Sequence, residues 1–294
     1  MRTSIRFMAV AVTSALLATP VMADTLQKIK ETGTINVGHR ESSIPFSYLD
    51  GNQKPVGYSM DLCNKVVEAV KKELKMPALV TKLTPVTSQT RIPLMTNGTI
   101  DLECGSTTNS LERQKQVAFG VTMFVSPVRM VVKADSGIKS LSDLNGKAVA
   151  TTTGTTSDRY IKQNEKGQSI DVKNVYGKDH AESFLLLAED RVVAFVMDDI
   201  LLAGQIANSK TPDAYKILGE SLRQEPYSMM LRKDDPQFKA LVDKTITAVM
   251  KSGEIEKIYA KWFTSPVPPK GINMNFPQTP PLKEAFKTPN DKGV

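Results

Sequence analysis

Apolar positions along this chain fall into two alternating rhythms. Thr34-Ile35-Asn36-Val37-Gly38 predicts a short strand that ends in a loop carrying His39, Arg40 and Glu41. Gly57-Tyr58-Ser59 then opens a helix with Ser59 as its N-cap. Leu62, Cys63, Val66, Val67, Val70 and Leu74 keep helical spacing, and Pro77 ends the run. Residues 79–83 predict a second strand, 91–96 a helix closed by Asn97-Gly98, and 99–103 a third strand running into Cys104-Gly105-Ser106. The same alternation restarts after Leu144. It predicts strands over 147–151, 172–176 and 192–197, a glycine turn at Gly154 opening one helix, and a second helix over 180–187. Asp198 marks the passage from the last of these strands into the next helix. Two successive units of this kind predict an α/β fold in two lobes with mostly parallel sheets.

Late in the chain, Phe238, Leu241, Val242, Ile246, Val249 and Met250 predict an amphipathic helix stopped by Gly253. A shorter helix carries Ile255, Ile258, Tyr259, Trp262 and Phe263, with Trp262 a packing residue. From Ser265 onward prolines crowd the sequence, which predicts an extended tail on the surface. There is no internal repeat of short period and no low-complexity block.

The first residues change the picture of what the mature protein is. Arg2 and Arg6 precede an apolar stretch from Phe7 to Leu17, and Val21-Met22-Ala23 supplies small residues at a cleavage position. This is the layout of a secretory signal peptide over residues 1–23, cut after Ala23. The apolar stretch is too short to span a bilayer, which takes about 20 residues. No cysteine follows the cleavage position, so no lipid anchor is expected. The remaining chain, 24–294, has room for two domains of ordinary size.

Loss of Arg2 and Arg6 takes the formal charge from +7 to +5. The basic residues are scattered among acidic ones, with no basic run interleaved with aromatics, so a nucleic-acid partner is not expected. Cys63 and Cys104 are the two cysteines. Export permits a disulfide between them, but spacing alone does not decide between one bridge and two buried thiols. With two histidines and two cysteines, no metal-ligand pattern is visible.

Candidate chemistry gathers where strands end. Arg40 follows the first strand, Ser106 and Thr108 the third, and Asp198 the last strand of the second unit, and open α/β sheets bind ligands beyond the carboxyl ends of their strands. Ala150-Thr151-Thr152-Thr153-Gly154-Thr155-Thr156-Ser157-Asp158 reads as strand, tight turn and helix start, a place that favours an anion. It lacks the lysine and the spacing of a phosphate loop. Enzyme signals are poor: no G-x-S-x-G elbow, no dinucleotide fingerprint, and a His180 beside Asp179 that does not face it along a helix.

Longer motifs narrow the choice. Gly38-His39-Arg40-Glu41-Ser42-Ser43, Pro45-Phe46-Ser47-Tyr48 and Gly57-Tyr58-Ser59 resemble the opening of the polar amino-acid periplasmic binding proteins. Thr87-Ser88-Gln89-Thr90-Arg91-Ile92-Pro93-Leu94 and Glu103-Cys104-Gly105-Ser106-Thr107-Thr108-Asn109, with Glu112-Arg113-Gln114, resemble the glutamate/aspartate-binding branch. Residues 194–199, 230–236 and 273–276 extend the resemblance over nearly the whole mature chain.

The resemblance implies a type II periplasmic-binding fold. Residues 24–122 and 228–294 would form the first lobe and 123–227 the second, with crossings near 122–126 and 225–227. It implies a periplasmic monomer that captures L-glutamate or L-aspartate for the membrane subunits of an ABC importer, without catalysis, cofactor or metal. The alternative on the same scaffold is a periplasmic cyclohexadienyl dehydratase. By the same resemblance, Arg113 grips the ligand α-carboxylate with help from Thr108, Thr155 and Thr156, and Asp198 pairs with its ammonium. Arg40, Arg91 and His180, with Ser88 and Ser106, surround the side-chain carboxylate.

Overall fold

The computed structural model describes residues 24–167 and 170–294. The expected signal peptide, residues 1–23, lies outside the described residues.

The first half of the chain runs α1 (Thr25–Thr32), β1 (Thr34–His39), β2 (Ser42–Ser43), β3 (Ser47–Leu49), β4 (Pro55–Val56), α2 (Tyr58–Leu74), β5 (Val80–Pro85), α3 (Arg91–Thr96), β6 (Leu102–Cys104) and β7 (Val117–Phe119). Then come β8 (Phe124–Lys133), β9 (Ala148–Thr152), α4 (Thr156–Gly167), β10 (Lys173–Gly177), α5 (His180–Ala188), β11 (Ala194–Asp198), α6 (Asp199–Asn208), β12 (Tyr215–Ile217) and β13 (Arg223–Tyr227). The chain closes with β14 (Met230–Arg232), α7 (Pro236–Lys251), α8 (Glu254–Phe263) and α9 (Pro280–Lys287).

Two large sheets organise these elements, one in each lobe, beside a small antiparallel sheet of order β2-β3-β4. The first has the order β5-β1-β6-β14-β7 and the second the order β10-β9-β11-β8-β12, with β13 also paired to β8. Parallel pairing joins β5, β1 and β6, and again β10, β9 and β11. Both sheets are completed by antiparallel strands, β14 and β7 in the first and β8, β12 and β13 in the second. The sheets are therefore mixed rather than mostly parallel. The long strand β8 and its partner β13 carry the chain out of the first sheet and back, and they pair from Tyr227↔Phe124 to Arg223↔Val128.

An aromatic cluster seats that paired crossing. Phe124 lies 4.8 Å from Phe46 edge-on and 5.0 Å from Phe263 in a stack, and Tyr227 lies 5.1 Å from Phe46 (ring centroids). Each such pair contributes about 0.5–1.5 kcal/mol beyond its buried area. Helix α2 buries Leu62, Cys63, Val66, Val67 and Val70, the stripe its spacing predicts, against α7 and α8. Its residue Cys63 is joined by a disulfide to Cys104 at the end of β6, with Cα atoms 6.1 Å apart. In the chain-entropy account, closing a loop of this length is worth about 4 kcal/mol.

Two local expectations fail for physical reasons. Ser59 is not the N-cap of α2, because Tyr58 is already helical and Gly57 precedes it. The Ser59 hydroxyl instead donates to the Gly105 carbonyl, 2.7 Å away. The proline-rich tail is not wholly extended. Pro280 and Pro281 occupy the first turn of α9, where a missing N–H costs nothing, and Leu282, Ala285 and Phe286 bury that helix. Among the described residues no helix is long and apolar enough to cross a membrane.

Candidate functional site

Strand ends from both sheets converge between the lobes. Arg40 follows β1, Ser106 and Thr108 follow β6, Thr155 and Thr156 follow β9, and Asp198 ends β11. Arg91 and His180 are the first residues of α3 and α5, and Arg113 opens a short 3₁₀ turn. With Ser88, all ten sequence-predicted site residues are buried, each at most 5% exposed.

The two lobes touch around these residues. The Arg113 Nη1 donates to the Thr108 carbonyl at 2.9 Å, within the first lobe. Its Nη2 donates across to the Gly154 carbonyl at 3.1 Å. The Thr108 and Thr156 hydroxyl oxygens are 3.4 Å apart across the same junction. Gly154 lies against the first lobe so closely that a Cβ there would come within 2.8 Å of the Gln89 Cα. Its φ of +80° also favours glycine. Farther out, Gln205 donates its Nε2 to the Ser42 carbonyl at 2.7 Å, and Arg159 pairs with Glu112.

Among the described residues, several buried polar atoms have no hydrogen-bond partner. They include both Nη atoms of Arg40, the Nε of Arg91 and of Arg113, the Oγ of Ser88 and Ser106, the Nε2 of His180 and the Oδ1 of Asp198. The other Asp198 oxygen accepts from the Tyr227 hydroxyl. Thr155 and Thr156 are already engaged. The Thr155 hydroxyl donates to the Thr152 carbonyl at 2.7 Å and accepts from the Asp158 N–H, and Thr156 donates to Glu225 at 3.1 Å.

Desolvation dominates the electrostatics. Burial, then the neighbouring Arg91, pushes the Arg40 guanidinium down to about 10. Burial, then Arg91 and Arg159, pushes Arg113 down to about 9. Burial likewise lowers Arg91. Burial and then Glu225 hold the Asp198 carboxyl well above the usual carboxylate range. Three buried guanidiniums thus crowd together, with Glu103, Asp198 and Glu225 as buried carboxyls around them. An anion with two separated carboxylates and one cationic group would relieve both strains, since buried charges cost free energy unless paired. Among the described residues no group of three or more His, Cys, Asp or Glu could hold a metal ion.

Burial, then Arg40 and Arg91, holds His180 well below its ordinary value of 6.5. Below that pH an unfolded chain protonates this histidine while the folded protein keeps it neutral. Stability from this group is complete above pH 6.5 and is lost as pH falls from there towards the folded value. In the ligand-free protein, Tm should therefore fall more steeply between about pH 7.5 and about pH 5.5 than in His180→Gln. Parallel curves would show that His180 titrates alike in the folded and unfolded chain.

Four residues around this site were missed in the sequence. Tyr227 falls in a predicted crossing but was given no role, and Glu103 and Thr107 stand inside a quoted motif as strand and loop. Thr152, whose hydroxyl lies 3.1 Å from the His180 Nδ1, stands in the sequence only as part of the segment leading into the Gly154 turn. All four read locally as core positions, and their polar partners come from the fold within each lobe: Thr107 and Glu103 join Arg91 in the first, and Thr152 meets His180 and Tyr227 meets Asp198 in the second.

Comparison with known proteins places this geometry. Residues 35–265 match the model of "Bacterial extracellular solute-binding proteins, family 3". The chain is 53% identical over 277 residues to the "Glutamate/aspartate import solute-binding protein" of Escherichia coli K12, covering 94% of this chain and 92% of the relative. It is 52% identical over 299 residues to the "L-glutamate/L-aspartate-binding protein" of Pseudomonas aeruginosa PAO1, covering 100% and 99%. Among solved structures, an ancestral arginine-binding protein bound to arginine matches with a TM-score of 0.70 at 32% identity, covering 79% of this chain and 98% of that one.

Proposed function

We propose that this chain, which belongs to family 3 of the bacterial extracellular solute-binding proteins, captures L-glutamate or L-aspartate between its lobes and delivers it to an ABC importer. The observation that carries the reading is the set of unpaired buried atoms. Donors on Arg40, Arg91 and Arg113 and one acceptor on Asp198 are buried without a hydrogen-bond partner among the described residues. That set complements a zwitterion bearing a second carboxylate, and it matches the binding named for the relatives from Escherichia coli and Pseudomonas aeruginosa.

In this reading Arg113 holds the α-carboxylate, with Thr108 and the helix start at Thr155 and Thr156 beside it. Asp198 holds the ammonium. Arg40, Arg91 and His180, with Ser88 and Ser106, receive the side-chain carboxylate. A guanidinium presents a rigid fork suited to a carboxylate. A glutamine amide would leave a desolvated guanidinium without its countercharge, which is how the site rejects it. The protein works in the periplasm as a monomer, with residues 24–122 and 228–294 as one lobe and 123–227 as the other. Its partners are the ligand and the importer's membrane subunits. The dehydratase alternative requires an acid or base aimed at a leaving group, whereas the inward-facing groups here are matched to a ligand's charges.

Thermal melting of ligand-stripped protein tests the assignment. At a concentration 100 times Kd, glutamate or aspartate should stabilise the fold by about 2.7 kcal/mol. Glutamine at the same concentration should shift Tm far less. Equal shifts for glutamate and glutamine would remove the acidic-ligand reading.

A further inference from the structure

Arg91 reaches the site on a long flexible side chain, and its guanidinium is held from behind. Its Nη1 donates to the Thr107 Oγ1 at 2.7 Å. Thr107 in turn donates to the Glu103 Oε2 at 2.7 Å. The direction of this relay is fixed by chemistry. A guanidinium only donates and an ionised carboxylate only accepts, so the single hydroxyl proton of Thr107 points to Glu103 and its lone pair to Arg91.

Both supporting residues are fully buried and rigidly set. Glu103 lies in β6, paired with Gly38 on one side and Met230 on the other. Thr107 is tied by its carbonyl to the Ser228 N–H at 3.0 Å. The Glu103 carboxylate and the stem of Arg40 both border Gly105. A Cβ at Gly105 would sit 2.2 Å from the Glu103 Oε1 and 2.9 Å from the Arg40 Cγ. A side chain at 105 would therefore displace one or the other. Glu103 is the foremost charge favouring the ionised form of Arg91, and it acts the same way on Arg40. A buried carboxylate is costly to keep, and this one has an oxygen without a partner among the described residues. Packing alone does not account for it.

We propose that Glu103 and Thr107 are positioning residues that fix the Arg91 fork for the ligand's side-chain carboxylate, and so set the preference for acidic over amide side chains. This rests on the assignment of Arg91 to the side-chain carboxylate. Neither residue touches the ligand, and their effect passes through Arg91.

Calorimetry with glutamate and glutamine tests the relay. Thr107→Val keeps the shape and removes the hydroxyl. It should weaken glutamate at least about tenfold, a loss typical of leaving charged groups unpaired, and glutamine no more than about twofold. Thr107→Ser should restore the preference. Glu103→Gln should narrow the ratio in the same direction, because its amide can turn an N–H towards the hydroxyl that Arg91 needs. In an Arg91→Met background, Thr107→Val should have no further effect. Should Thr107→Val not melt cooperatively, Thr107→Ala carries the same comparison. The relay is overturned if the folded Thr107 or Glu103 variants keep the wild-type ratio, or if Thr107→Val costs as much in the Arg91→Met background. A wild-type protein that binds both ligands equally would instead sink the function proposed above.

Discussion

Asp198→Asn is expected to lower glutamate affinity by about 2–5 kcal/mol, the range for truncating one partner of a buried charged pair. That corresponds to roughly thirtyfold to several thousandfold in Kd. Asparagine keeps the shape, and its amide oxygen can still accept from Tyr227. What disappears is the charge offered by the Oδ1, the oxygen without a partner among the described residues. An asparagine NH₂ turned towards the ligand would oppose an ammonium. Because the residue caps α6 without a side-chain hydrogen bond to that helix, the substitution should leave Tm of the ligand-free protein little changed. Titration calorimetry on ligand-stripped protein measures the effect. Wild-type affinity in a folded Asp198→Asn protein would place the ammonium elsewhere.

The arginines divide their labour, and two substitutions separate them. Arg113→Met should weaken glutamate and glutamine alike, by about 2–5 kcal/mol, because both ligands carry the α-carboxylate. Its loss also removes the donors to the Thr108 and Gly154 carbonyls, so closure of the lobes suffers with it. Arg91→Met should weaken glutamate by about 2 kcal/mol or more and glutamine by much less, so the preference narrows. Methionine fills most of the arginine stem and leaves no charge. Comparing two ligands on one variant cancels general damage to the fold. If Arg91→Met lowers both affinities equally while Arg113→Met alters the preference, the two roles are exchanged.

Long elements were legible in the sequence, and short or non-local ones were not. Helices α2 and α7 show several turns of apolar spacing, and that spacing matches their buried faces. Strands β7 and β14 are three residues each, too short for alternation to register, and their pairing joins segments far apart in the chain. The antiparallel pair of β8 and β13 was visible only as a resemblance-based crossing, without its register. Prolines masked α9, since two of them start a helix as readily as they interrupt one.

In the site, Arg40 and Asp198 stood out because they follow strands. Arg91 and Arg113 were assigned through the motifs around them. Glu103 and Thr107 escaped notice because a buried acid in a three-residue strand has no local signature. Its meaning comes from an arginine twelve residues earlier, brought alongside by the parallel sheet.

The place of β14 has a consequence for the order in which the molecule can be assembled. Met230–Arg232 is inserted between Leu102–Cys104 and Val117–Phe119, so the sheet begun near residue 34 stays split until residue 232 has arrived. A chain emerging from its N-terminus can complete the second sheet first, because all of that sheet's strands lie between residues 124 and 227. The strand bearing Glu103 meanwhile lacks its neighbour at Met230. Vectorial emergence would therefore deliver a finished inner module inside an unfinished outer one, with the arginine side of the cleft ordered last.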